Sequence, residues 1–234
     1  MNLPTIKLAN SAFGAGGAVI EVNSGVVIDG VKVDANLTNN SGSVYGILGN
    51  ECEKTTVRNC YVTDASFGIW FTGGNTIKIT GNMVDACTTY GIAINLTDVT
   101  ADCYNIVVTG NECKNITDGT TGSLAEGQGI IIYGATGPTS GDYKNITKVI
   151  VSDNICYGNG RQGITLAAVN DFVIDGNNCY DNLANTDLAS GILISEACYN
   201  GTVTGNTCTN NYDAGILLDI VPQFTPKDYF SYGQ

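Results

Sequence analysis

The chain of 234 residues carries 22 acidic against ten basic side chains, no histidine, and a formal net charge of −12. That balance argues against a nucleic-acid partner, whose phosphates need a basic surface, and against an anionic membrane. Charged residues make up only 14%, glycines number 30, and no apolar run nears the roughly 20 residues of a membrane span, which indicates one β-rich, turn-rich domain.

Residues 1–16 begin MNLPTIKLANSAFG and lack the basic start and apolar core of a signal peptide. The chain is therefore expected in a virion or outside the cell, reached by another route or after loss of a leader. Residues 1–16 are read as an N-terminal cap. Gly17–Ile20 is then the first copy of a phrase in which Gly precedes alternating apolar residues; it returns at Gly46, Gly68, Gly91, Gly129, Gly163, Gly191 and Gly215. A second phrase interleaves with it. Irregular copies stand at Ile28–Val33 (IDGVKV) and Val57–Val62 (VRNCYV). Regular ones follow as ITGNMV at Ile79–Val84, VTGNEC at Val108–Cys113, VSDNIC at Val151–Cys156, IDGNNC at Ile174–Cys179 and VTGNTC at Val203–Cys208. Repeats of this size indicate a solenoid, in which one coil cannot bury its own core and stacking supplies it.

Each coil reads as three short strands. Period-two alternation turns Ile77 and Ile79, Ile106 and Val108, Val149 and Val151, and Phe172 and Ile174 inward on the first. A turn follows with Asn82, Asn111, Asn154, Asn177 or Asn206, where Asn is expected to accept left-handed backbone and to form a ladder of stacked amides. The second strand centres on an inward column of Val33, Val62, Val84, Cys113, Cys156, Cys179 and Cys208. Cysteine sharing a column with valine behaves as a small buried hydrophobe, so the nine cysteines are expected reduced and internal. Cys52, Cys103 and Cys198 share a second column with Gly74, Ile146 and Val169. The third strand turns Ile92 and Ile94, Ile130 and Ile132, and Ile164 and Leu166 inward. Parallel strands in register without a helical crossover give an all-β chain: a right-handed parallel β-helix of about seven coils over residues 17–220, roughly 30–35 Å long. Residues 221–234 remain as a C-terminal cap or tail. With no His and no C-x-x-C pair, neither a metal nor a cofactor is expected.

The GN-x-C/V phrase followed by G-I-x-I resembles the parallel β-helix repeat of the pectin-lyase-like superfamily, over about Gly17 to Ile220. The resemblance implies a scaffold shared by pectate lyases, polygalacturonases, alginate epimerases, bacteriophage tailspikes and structural virion proteins, and so chooses no function among them. Asn185-Thr186-Asp187 imitates one fragment of the glycoside hydrolase motif of that superfamily, but no Asp-Asp pair and no His follow. The Tyr-Gly…Asp-Pro-His signature of its epimerases is also missing.

The outward residues divide the functional reading. On the third strand they are Leu48, Trp70, Ala93, Ile131, Thr165, Leu193 and Leu217, an apolar stripe that marks either a contact surface or a face covered by loops. The first reading is a non-enzymatic structural or adhesion module, part of a bacteriophage or other virion. In it Leu48, Trp70, Ile131, Leu193 and Leu217 pack between copies in a homotrimer or against other virion proteins. The alternative is a polysaccharide lyase or glycoside hydrolase acting on an acidic polysaccharide, with a site at Glu126, Asp142, Lys144 and Arg161. On the second strand Tyr157 and Tyr180, beside Glu112 and Lys114, offer aromatic faces and charges to a glycan. The plainer reading of those four is a solvated strand face.

Overall fold

The computed structural model describes residues 3–10, 17–40, 42–96, 102–117, 126–134, 146–182, 189–196 and 198–219. Within them every strand pair is parallel, and the strands collect into one eight-stranded and one fourteen-stranded sheet. The eight-stranded sheet holds the second strands, three residues each, from Lys32–Asp34 to Thr207–Thr209. Thr5–Lys7 pairs in register with Lys32–Asp34 and adds an eighth strand, so the solenoid begins inside the segment expected as a cap. The fourteen-stranded sheet joins the first and third strands, which separate sequence phrases had suggested were distinct. In Phe67–Thr80 the two are one strand, bent at Gly73, Gly74 and Thr76, whose φ values are 68°, 111° and 59°. A Cβ on Gly74 would lie 2.2 Å from the Cys52 carbonyl oxygen, so the bend admits no side chain.

The inward columns form one continuous core. Val33, Val62, Val84, Cys113, Cys156 and Cys179 are fully buried, and the paired register runs from Cys113 through Cys156 and Cys179 to Cys208. All nine cysteines are free thiols. Burial raises the Cys156 thiol well above its ordinary value, and the hydrogen bond to Cys156 does the same for Cys179. Thiols raised in this way stay protonated, hence unreactive, well above neutral pH.

The amide ladder is present. Asn82, Asn111, Asn154 and Asn177 each donate from Nδ2 to Oδ1 of the next amide, ending at Asn206, over 2.9–3.0 Å. Each Oδ1 also accepts the backbone N–H of the coil before, as Asn177 Oδ1 does from Asn154. The left-handed residue of this turn is not the ladder Asn, however. It is the residue before it, Gly81, Gly110, Asp153, Gly176 or Gly205, with φ of 55–66°. A second ladder, from Asn159 through Asn182 to Asn211, lines the next corner of the last coils.

The recurrent glycine has a steric cause. A Cβ on Gly46, Gly68, Gly91, Gly129, Gly163 or Gly191 would come within 2.4–2.7 Å of the carbonyl oxygen of the next glycine in the series. Coils approach so closely at this corner that a side chain there would push them apart.

Two measurements check this core. Asn177→Ala strips partners from Asn154 and from the Val151 carbonyl, and is expected to cost about 1–3 kcal/mol in urea unfolding, more than Asn206→Ala in the last coil. An unchanged unfolding midpoint would place that ladder in solvent. Native thiol labelling near neutral pH should reach the half-buried Cys198 and Cys208 first and stay slow at the buried Cys113, Cys156 and Cys179. Prompt modification of the latter three would reject the register.

Candidate functional site

On the outer face of the third strands the register builds two adjacent columns. One is the expected stripe, paired from Leu48 through Trp70, Ala93, Ile131, Thr165 and Leu193 to Leu217. The other comes from the residue before each glycine, with Tyr45, Phe67, Tyr90 and Gln128 paired in order. Strict alternation would send Tyr90 inward with Ile92 and Ile94. The glycine breaks that alternation, because the position a Gly91 Cβ would take already points into the core, towards the Ile116 side chain at 3.3 Å. Gly91 and Ile92 both face inward, so Tyr90 turns out.

The outcome is a cluster of four half-buried rings on the surface of the solenoid. Tyr45 stacks on Phe67 at 4.6 Å between centroids, and Phe67 meets Trp70 edge-on at 4.8 Å. Trp70 also lies 5.9 Å from Tyr90 at an interplanar angle of 23°. Trp70 Nε1 donates to Thr72 Oγ1 at 3.0 Å, which fixes the indole and leaves its polar edge satisfied.

At the Tyr90 end the cluster becomes polar. Gly127 N donates to the Thr89 carbonyl and Arg161 N to the Gly127 carbonyl, which stacks the residues preceding three successive third strands. Half-buried Glu126 and buried Arg161 are thereby brought to Tyr90. Burial pushes the Tyr90 phenol up to about 12, the Glu126 carboxylate adds to this, the Arg161 guanidinium opposes it, and Tyr133 raises it further. The phenol is a proton donor at neutral pH. Asp142 and Lys144, expected beside Glu126 and Arg161, lie outside the described residues.

The second-strand residues also come together. Glu112 Oε1 accepts from Lys114 Nζ at 2.8 Å and from the Tyr157 hydroxyl at 2.9 Å, and Tyr157 stacks on Tyr180 at 4.8 Å and 4°. The Lys114 hydrogen bond holds the Glu112 carboxyl below its usual range. This cluster uses its polar groups on one another. A cavity of about 270 Å³ on the same sheet, lined in part by Tyr61, Asn82, Met83 and Glu112, lies apart from the ring cluster. Among the described residues no group of His, Cys, Asp and Glu is placed to hold a metal ion.

The stripe expected between copies has another use within one chain. Trp70 is half-buried among the rings of its own chain, and Leu193 is 7% exposed. Leu48, Ile131 and Leu217 are half-buried in the same stripe.

The chain belongs to the family described as the right handed beta helix region, whose model matches residues 5–141 and 139–225. No curated protein sequence matches it. Among solved structures it is similar to the mannuronan C-5 epimerase AlgE4 A-module of Azotobacter vinelandii, with 16% identity and a TM-score of 0.47 over 93% of this chain and 78% of that one. It is also similar to the DFA-IIIase of Arthrobacter chlorophenolicus A6, with 15% identity and a TM-score of 0.47, covering 88% of this chain and 51% of that one. For the alginate lyase of Paenibacillus sp. str. FPU-7 the values are 15% and 0.37, over 92% of this chain and 98% of that one. At these identities the likeness is one of fold.

The Tyr90 environment is checked by titration. At about pH 10.5 an exposed tyrosine is largely ionised. Tyr90 should still be protonated there, so Tyr90→Phe and the parent should show equal tyrosinate absorbance. A lower signal in the variant would mean that Tyr90 ionises with the exposed tyrosines.

Proposed function

We propose that the chain binds and cleaves a polysaccharide laid along the outer face of its third strands. Tyr45, Phe67 and Trp70 would stack on sugar rings, while Tyr90, Glu126 and Arg161 would form the reacting centre. One observation carries this reading: an external aromatic cluster ends where backbone hydrogen bonds stack the segments that bear a phenol, a carboxylate and a guanidinium. Aromatic faces pack on the apolar faces of sugars, and successive coils about 4.8 Å apart offer a repeat close to the length of one sugar residue. In the centre, the protonated Tyr90 would give its proton to the departing glycosidic oxygen as the C–O bond breaks. Glu126 would take a proton either from the water that bonds to the freed carbon or, in a uronate, from the C–H whose electrons form the new double bond, and Arg161 would hold both in place. The reading rests on this site, since the fold hosts many functions.

The virion or adhesion reading rested in part on the apolar stripe, together with the low charge and the missing His. Trp70 of that stripe belongs to the ring cluster and Leu193 is 7% exposed, and the polar end of the cluster supports the polysaccharide reading better.

The test is incubation with a panel of neutral and uronate polymers, following reducing ends together with the ultraviolet absorbance of unsaturated ends. Glu126→Gln is expected to lower kcat by about 10²–10⁴-fold, and Trp70→Ala to raise KM while changing kcat little. A panel with no cleavage, or full activity in Glu126→Gln, would defeat the proposal.

A further inference from the structure

Beyond Tyr90 and Trp70 the two outer columns continue, with a change in chemistry. Gln128 pairs with Tyr90, Gly129 N donates to the Gln162 carbonyl, and Gly163 N donates to the Ser190 carbonyl. Gln128, Gln162 and Ser190 therefore succeed the rings along the axis. Thr165 stands between Ile131 and Leu193 in the Trp70 column. Gln128 and Thr165 are each 4% exposed and Ser190 is 0% exposed. Gln128 Oε1, Thr165 Oγ1 and Ser190 Oγ have no hydrogen-bond partner among the described residues.

Such orphans are costly. A buried polar atom left without a partner forfeits about 1–3 kcal/mol, and native proteins hold few of them. The contrast within this molecule is sharp, because the buried ladder amides Asn82, Asn111, Asn154 and Asn177 are all bonded. Three orphans in successive coils, in line with an aromatic cluster, indicate groups kept for something that arrives.

The chemistry of the three atoms selects the arrival. An amide oxygen only accepts, so the group that meets Gln128 Oε1 must donate. A sugar hydroxyl can do this; a uronate carboxylate, acceptor-only, cannot, and would have to face away from this subsite. The Thr165 and Ser190 hydroxyls both donate and accept, as sugar hydroxyls do, and none of the three brings a charge. A net charge of −12 also repels a polyanion at long range.

We infer that Gln128, Thr165 and Ser190 form a subsite for the hydroxyl groups of a neutral glycan, continuing the aromatic face over the next three coils. This rests on the polysaccharide reading above and narrows its substrate to an uncharged glycan, in place of the acidic one expected from sequence. The reaction class changes with it. β-Elimination needs the acidic C–H beside a uronate carboxylate, whereas a neutral glycan is cleaved by hydrolysis or transfer at the glycosidic bond. Reducing ends then appear without unsaturated ends.

The test is affinity electrophoresis of the full chain in gels containing laminarin, dextran or inulin as neutral probes, and alginate or polygalacturonate as acidic ones. Retardation is expected with at least one neutral polymer. Gln128→Met and Thr165→Val, which keep side-chain volume, should each weaken it about tenfold. Their melting temperatures should stay level or rise, because each removes an orphan instead of a bonded group; a fall would mark the residue as structural and overturn the assignment. Unchanged affinity in both variants would overturn it as well. Retardation by the uronate polymers alone, abolished by Trp70→Ala, would sink the neutral subsite and leave the polysaccharide site standing. Retardation by no polymer would sink both.

Discussion

Every coil of this chain must return to its starting point one strand spacing further along the axis, and that single constraint governs the rest. It is enforced from inside by hydrogen bonds that leave little tolerance. The ladder Asn side chains donate to the next coil and accept from the previous one, so each amide fixes two neighbours at once. Because the bonds run in one direction from Asn82 to Asn206, the amides polarise one another along the row. A buried amide that satisfies four groups would leave several orphans if it shifted by one residue. Register is thus set by polar groups, although the core around them is apolar.

The same constraint creates the surface feature on which the proposed function turns. Coils can close at the third strand only where a residue without a side chain lets carbonyl oxygens approach, hence the run of glycines from Gly46 to Gly191. At each glycine the in–out alternation slips, and the residue before it is turned outward beside the residue two after it. Two outward columns then lie next to each other, wide enough for rings in the early coils and for amides and hydroxyls in the later ones. The platform of Tyr45, Phe67, Trp70 and Tyr90 is a by-product of close coil packing.

The inward positions were legible because they follow a period of two without interruption: Ile77, Ile79, Ile106 and Val108 lie where alternation puts them, fully buried. The valine and cysteine column and the first amide ladder were legible for the same reason. What was not legible depends on departures from the period. Tyr90 falls on an inward parity, so only the backbone slip at Gly91 reveals it as an outer residue. Glu126 and Arg161 could be singled out as rare loop charges, but nothing in their spacing tied them to Tyr90. The second ladder escaped because its column holds Ala65, Cys87 and Ile116 before Asn159, and so shows no repeating letter. The left-handed position was assigned one residue late, since both Gly and Asn tolerate it and the phrase contains both in sequence.

Coil length varies while axial advance does not. Successive rungs of the first ladder are separated by 22, 29, 43, 23 and 29 residues, beginning from the Cys60 position, yet every rung bond has the same length within 0.1 Å. The longest interval, from Asn111 to Asn154, contains Glu126, Gln128 and Tyr133. Contour length can therefore be added or removed beside the site without any change reaching the axis. For evolution or design this makes the scaffold a fixed frame with interchangeable edges: a whole new segment can be grafted between two rungs, and its neighbours would register no strain.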